Sequence, residues 1–247
     1  MPPLQTVTRE TFWTVTPVGK VIFYYLAAVA ILLFGYGVYT RFARYARGTD
    51  DPFARLDDLP GRIREAAVTV ASNEGQFDRD RYAGVMHTFI VWGFLTLLVG
   101  TTILAIDIDV FRPLTGQSFF VGEFYLSYSL VMDALGLLFV VGVGMAIYRR
   151  YAAREGRLWG KHTSLEDDAF VWTLFLLGVG GYALEALRIV GTDFPPFETV
   201  SFVGYGLAAG FAAAGLSAGA AETLYWWAWW SHSLLALGFV AMIPYAK

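Results

Sequence analysis

The stretch RYAGVMHTFIVWGFLTLLVGTTI, residues 81–103, decides the class of this protein. Residues 82–106 hold no charged side chain, only His87, and are bracketed by Arg81 and Asp107. A helix rising 1.5 Å per residue covers roughly 30 Å of hydrocarbon in about 20 residues, so this run is long enough to span a bilayer. The whole chain agrees. Of its 247 residues 56% are hydrophobic and 16% charged, and the mean hydropathy is +0.51, so lipid is the solvent for much of it.

Four further stretches meet the same length test. Residues 21–40 are uncharged and end at Arg41; residues 124–148 carry one acid, Asp133, before Arg149 and Arg150. Residues 169–190 stay apolar until Glu185 and Arg188, and residues 223–246 contain His232 and stop at Lys247, with Pro244 placed to kink the last turn. The expected fold is therefore an all-α, polytopic transmembrane helix bundle of five spans. Residues 199–221 admit a sixth span, but their dense Gly and Ala favour a helix in the membrane interface, leading into Trp226-Trp227-Ala228-Trp229-Trp230. Between the first two spans, Ile63, Ala66, Ala67 and Val70 recur at helical spacing over residues 59–71, which predicts a short surface helix to lie on lipid or dock a partner. Nothing repeats, so residues 1–247 read as one domain.

Charge sets the orientation. Eight arginines lie from Arg41 to Arg81 and five basic residues from Arg149 to Lys161, against Arg112 and Arg188 in the opposite loops. Basic loops stay in the cytoplasm, so the amino terminus is expected outside and Lys247 at the cytoplasmic face of the cell (inner) membrane. The first seventeen residues lack the basic lead of a cleaved signal peptide. A net charge of -3 argues against nucleic acid as a partner. With no cysteine there is no disulfide, iron–sulfur ligation or thiolate zinc within this sequence, and histidine is the strong soft-metal ligand left.

Two of the three histidines fall inside spans, where an unsatisfied polar group costs several kcal/mol. Each is either a neutral imidazole bonded to a neighbouring helix or an axial ligand of haem iron. His87 lies ~7 Å and His232 ~21 Å from the inner ends of their spans. That difference of ~14 Å suggests two separate sites, one inner and one outer, each needing another ligand. An inner partner for His87 beyond Lys247 would make the chain a truncated domain. His162, beside Lys161, reads as a surface residue. Asp133, Glu185 and Arg188 all fall in the outer halves of their spans. Glu185 and Arg188, three residues apart, are placed to pair with each other; the alternative is an outer quinol site in which an acid accepts a proton beside His232. Glycines at 84, 93 and 100 and at 178, 180 and 181 allow close helix approach or a flat macrocycle.

Residues 81–103, together with WWSHSLLALGFVAMIPYAK at 229–247, resemble the membrane cytochrome b domain of the respiratory nitrate reductase gamma-subunit type. The version at the amino terminus of heterodisulfide reductase-related membrane iron–sulfur oxidoreductases is the nearer likeness. It covers nearly the whole chain. The resemblance implies one or two haem b groups, with His87 as inner and His232 as outer ligand and a further histidine just past Lys247. It also implies a menaquinone-type substrate and a cytoplasmic iron–sulfur partner. Where the nitrate reductase type has another histidine, ten residues after the first, this sequence has Leu97, which leaves His232 to an unusual partner such as Met132 or to quinone contact. The function so implied is electron transfer between membrane quinone and that partner. A haem-free membrane anchor, or a proton or solute transporter using Asp133, Glu185 and Arg188, are the competing readings; no inverted repeat supports the transporter.

Overall fold

A computed structural model describes residues 7–45, 47–48, 57–156 and 165–246. The architecture is all-α, without strands among the described residues. The long helices are α1 (Pro17–Tyr45), α4 (Arg81–Ala105), α6 (Gly122–Ile147), α7 (Leu165–Gly191) and α9 (Ala218–Met242). Shorter ones are α2 (Leu59–Ser72), α3 (Glu74–Phe77), α5 (Arg112–Thr115) and α8 (Phe202–Ala213). A π-helical turn at Ile106–Phe111 joins α4 to α5, and a second at Tyr148–Ala152 extends α6.

Four of these helices are long and apolar enough to cross a membrane: α1, α4 with its extension to Thr115, α6 with its π turn, and α7. A multi-pass membrane protein is what such helices build. The fifth expected span, α9, has 25 residues and so the length, about 37 Å, but falls outside that set of four. Its tryptophans and Ser231-His232-Ser233 dilute its apolar character. After Met242 the chain tightens into a 3-10 turn at Ile243–Tyr245, where Pro244 has no N–H to continue the helix.

The helices run in the order α4, α6, α7, α9, α1 around the bundle. In hydrocarbon, helices adhere by close van der Waals fit and not by water exclusion, so small residues mark the seams. A Cβ built on Gly93 of α4 would lie 2.6 Å from Phe139 Cβ and 2.9 Å from the Leu135 carbonyl oxygen. One on Gly178 of α7 would meet Val140 Cγ2 at 2.7 Å and the Phe139 ring at 3.1 Å. Phe139, 2% exposed, is thus wedged between the two glycines and sets α4, α6 and α7 side by side. α7 meets α9 where Gly180 faces His232, and α1 meets α9 where Gly19 approaches Trp230 and Gly37 approaches Pro244 and Tyr245.

One end of the bundle is crossed by the amino-terminal segment, a strap of residues 7–16. Gly122 N–H donates to the Val7 carbonyl, Thr8 Oγ1 to the Phe120 carbonyl, and Trp13 packs on Gly191 and on the Tyr225 ring. Arginines concentrate at the other end. There Arg149 reaches Asp80 and Glu155, and Asp168 in the first turn of α7 receives Arg150 Nε at 2.5 Å and the Tyr151 hydroxyl at 2.7 Å. Asp80 caps α4 by accepting the Ala83 N–H at 3.1 Å; that bond first, and the Arg149 guanidinium second, hold its carboxyl below the usual carboxylate range. Arg55, Arg157, Lys161 and His162 lie outside the described residues.

The expected surface helix is α2, opened by the Asp58 side chain on the Gly61 N–H and closed at Asn73. Its apolar residues Leu59, Ile63 and Val70 are exposed, and its end is tied to α4 by Asn73 Nδ2 bonds to the Gly84 carbonyl and Thr88 Oγ1.

Candidate functional site

The polar residues inside the bundle gather toward the strap end, around a segment that turns back inward. After α7 the chain descends through a 3-10 turn, Pro196–Val200, and α8 starts within the bundle. At 12 residues, about 18 Å, α8 is too short to cross, and its first turn rests on the bundle through buried Gly204 while Phe202 stays exposed. Asp133 explains this placement. Its carboxylate, 1% exposed and 11 residues beyond the start of α6, accepts the Val203 N–H at 2.9 Å and the Gly204 N–H at 3.1 Å. Those are two of the free amides every helix start carries, and a carboxylate there also meets the positive end of the helix dipole. Asp133 therefore caps α8 from another helix.

Glu185 lies against the same turn. A Cβ on Gly204 would come within 2.5 Å of Glu185 Oε2, so only glycine leaves room for the carboxylate. Arg188 does not pair with Glu185 as its spacing suggested. It grips Glu198 through two bonds, Nη1 to Oε1 at 2.6 Å and Nη2 to Oε2 at 2.9 Å, and Tyr125 donates its hydroxyl to Glu198 Oε1 at 2.8 Å. Glu198 is fully buried and Arg188 4% exposed, and a two-bond guanidinium–carboxylate match is the geometry that makes such burial tolerable. This triad pins the descending segment to α6 and α7.

His232 sits on α9 opposite Gly180 and Gly181, with its Nδ1 buried and without a hydrogen-bond partner. Gly181 and Glu185 are one helical turn apart on α7, so the face of that helix on which His232 packs also carries Glu185. His87 is exposed, on a face of α4 about 120° round from Gly93. Gly93 and Gly178 both touch Phe139, and His232 faces Gly180, so His232 stands near the depth of Gly93 and six residues, roughly 10 Å, from His87. The two histidines do not face each other. Met132 is not beside His232 either: its Sδ fills the notch over Gly100, in the seam between α4 and α6. Among the described residues no group of three or more His, Cys, Asp or Glu is arranged to hold a metal ion.

The chain resembles part of two larger oxidoreductases. Over 229 residues, 90% of this chain and 30% of the relative, it is 30% identical to an EtfAB:quinone oxidoreductase of Syntrophomonas wolfei subsp. wolfei. Over 231 residues, 93% of this chain and 31% of the relative, it is 26% identical to a probable iron–sulfur-binding oxidoreductase, FadF, of Bacillus subtilis. The chain thus spans about a third of the length of the curated relatives it matches. No family model matches it, and no solved structure does.

Sequence reasoning did not single out Glu198, Tyr125 or Asp107. Glu198 stands in Pro195-Pro196-Phe197-Glu198-Thr199, which reads as an exposed loop, and its partners are ten and 73 residues away. Asp107, placed at a span end, is fully buried by Arg112 Nε at 2.7 Å, Ser118 Oγ at 2.8 Å and the Phe119 N–H at 3.0 Å. The only available signal was an acid close to the edge of an apolar run.

Proposed function

We propose that this chain is a membrane domain that passes electrons between a quinone, of menaquinone type, and a cytoplasmic iron–sulfur oxidoreductase partner of the heterodisulfide reductase-like kind, with haem b as the relay. The observation that carries the reading is the meeting of Asp133 and Glu185 at the start of α8, with His232 one turn away along α7, in a chain similar to part of a quinone oxidoreductase and part of an iron–sulfur oxidoreductase. In this reading the strap end faces outside and the basic end faces the cytoplasm, where its arginines dock the partner.

A single haem held between His87 and His232 does not fit their separation. The reading therefore takes two haems, one at each histidine, each completed by a ligand other than these two. His232 brings a buried ring nitrogen without a partner, on a ring that packs against Gly180 and Gly181. Haem, when bound, supplies one-electron exchange. The chain's own part is to place the acids: Asp133 holds α8 in position and is fully engaged there, so Glu185 is the group free to take the proton that quinol releases, and Arg188, through Glu198, is a positioning residue.

The dithionite-reduced minus oxidised spectrum of the purified protein tests the relay. A b-type band is expected in the wild type, and His87→Ala and His232→Ala should each remove about half of it. No band in the wild type would favour the haem-free anchor, and complete loss in either variant would contradict two sites.

A further inference from the structure

At the strap end, Arg112 is held by Asp107 and Arg188 by Glu198. Arg9 is the exception. Its guanidinium makes no salt bridge or hydrogen bond among the described residues, yet its Nε is buried without a partner. It lies within electrostatic range of Glu185, Tyr128 and Tyr225, which come from α7, α6 and α9. It also lines a cleft of about 430 Å³ with Thr8, Glu10, Trp13, Arg112 and Val121. The strap that carries it is fixed on both sides of Arg9, by Thr8 on Phe120 and by Trp13 on Gly191 and Tyr225. Phe12 and Thr14 hold left-handed backbone at φ 56° and 66°, a conformation that side chains with a Cβ adopt only when their surroundings enforce it.

We propose that Arg9 is a quinone-binding residue, donating from its guanidinium to a headgroup oxygen at the strap-end site; this rests on the quinone reading above. The chemistry asks for such a group. A quinone carbonyl only accepts hydrogen bonds, whereas a quinol hydroxyl also donates one, so a site serving both forms needs a fixed donor beside an acceptor. Glu185 is the acceptor, and neither Arg112 nor Arg188 is free to be the donor. A guanidinium left without a partner in a partly buried place is costly, and a ligand oxygen removes that cost.

The test is a fluorescence-quenching titration of the quinol analogue 2-heptyl-4-hydroxyquinoline N-oxide with the full-length protein in nanodiscs, made once with zwitterionic and once with anionic lipid. Arg9→Gln is expected to weaken binding at least tenfold. Arg9→Lys should lose less, and Thr16→Val, which removes a strap hydrogen bond from the Gly19 N–H but no charge and no residue of the cleft, should bind like wild type. Equal binding by wild type and Arg9→Gln would overturn the role of Arg9 while leaving the quinone reading intact. Loss as large in Thr16→Val as in Arg9→Gln would assign the effect to strap packing and overturn it too. An effect of Arg9→Gln seen only with anionic lipid would give Arg9 to a lipid headgroup. A wild type that binds no analogue would remove both readings together.

Discussion

Arg188 and Glu185, three residues apart, have opposite tasks. Arg188 is fully occupied by Glu198, so its replacement by Met should leave a buried carboxylate without its counter-charge and cost on the order of 3–5 kcal/mol. Thermal unfolding in detergent would show it. The double variant Arg188→Met with Glu198→Leu should recover most of the loss, since an apolar pair of similar volume is tolerated where half an ion pair is not. Glu185→Gln removes a proton acceptor and no structural bond to a cation. It should slow oxidation of a quinol analogue by about a hundredfold while leaving the absorption spectrum and the melting temperature near wild type. Wild-type quinol kinetics in that variant would return Glu185 to a packing role.

At the scale of elements, the inward start of α8 hangs on one side chain. Asp133→Ala takes away the acceptor of two amides, so about 0.5–2 kcal/mol of local stability should go. Amide exchange at Val203 and Gly204 should speed while the middle of α6 stays protected. Four of the five expected spans are long and apolar enough to cross, and they were legible because an apolar run of 20 or more residues with at most two charges matches the bilayer by its length. The surface helix was legible from its 3.6-residue period. The descent into α8 was not. Residues 199–221 have the same Gly and Ala content whether they lie in the interface or turn inward, and what decides is Asp133, some 70 residues earlier. The site was half legible for the same reason: a charge inside a span stands out alone, but the choice of Glu198 over Glu185 as partner of Arg188 is made by a fold that brings distant segments together.

For the molecule as a whole, the two ends differ in kind. A strap, buried carboxylates and a cleft occupy one, while Arg149 and Arg150, paired with Asp80, Glu155 and Asp168, occupy the other. In intact cells a cysteine placed at Gly156 should resist an impermeant thiol reagent and one at Gly116 should react, since they lie at opposite ends; the reverse pattern would invert the topology. The wedge of Phe139 between Gly93 and Gly178 also constrains what related chains can become. At Gly178 a methyl would press on the tips of the Val140 and Phe139 side chains, so a smaller residue at either place opens the way to alanine there. At Gly93 it would press on Phe139 Cβ and Cα and on a backbone oxygen, and no trimming of neighbours relieves that. Among descendants of this chain, position 178 is free to drift in step with 140, whereas position 93 is closed to every residue but glycine for as long as α4 and α6 keep their distance.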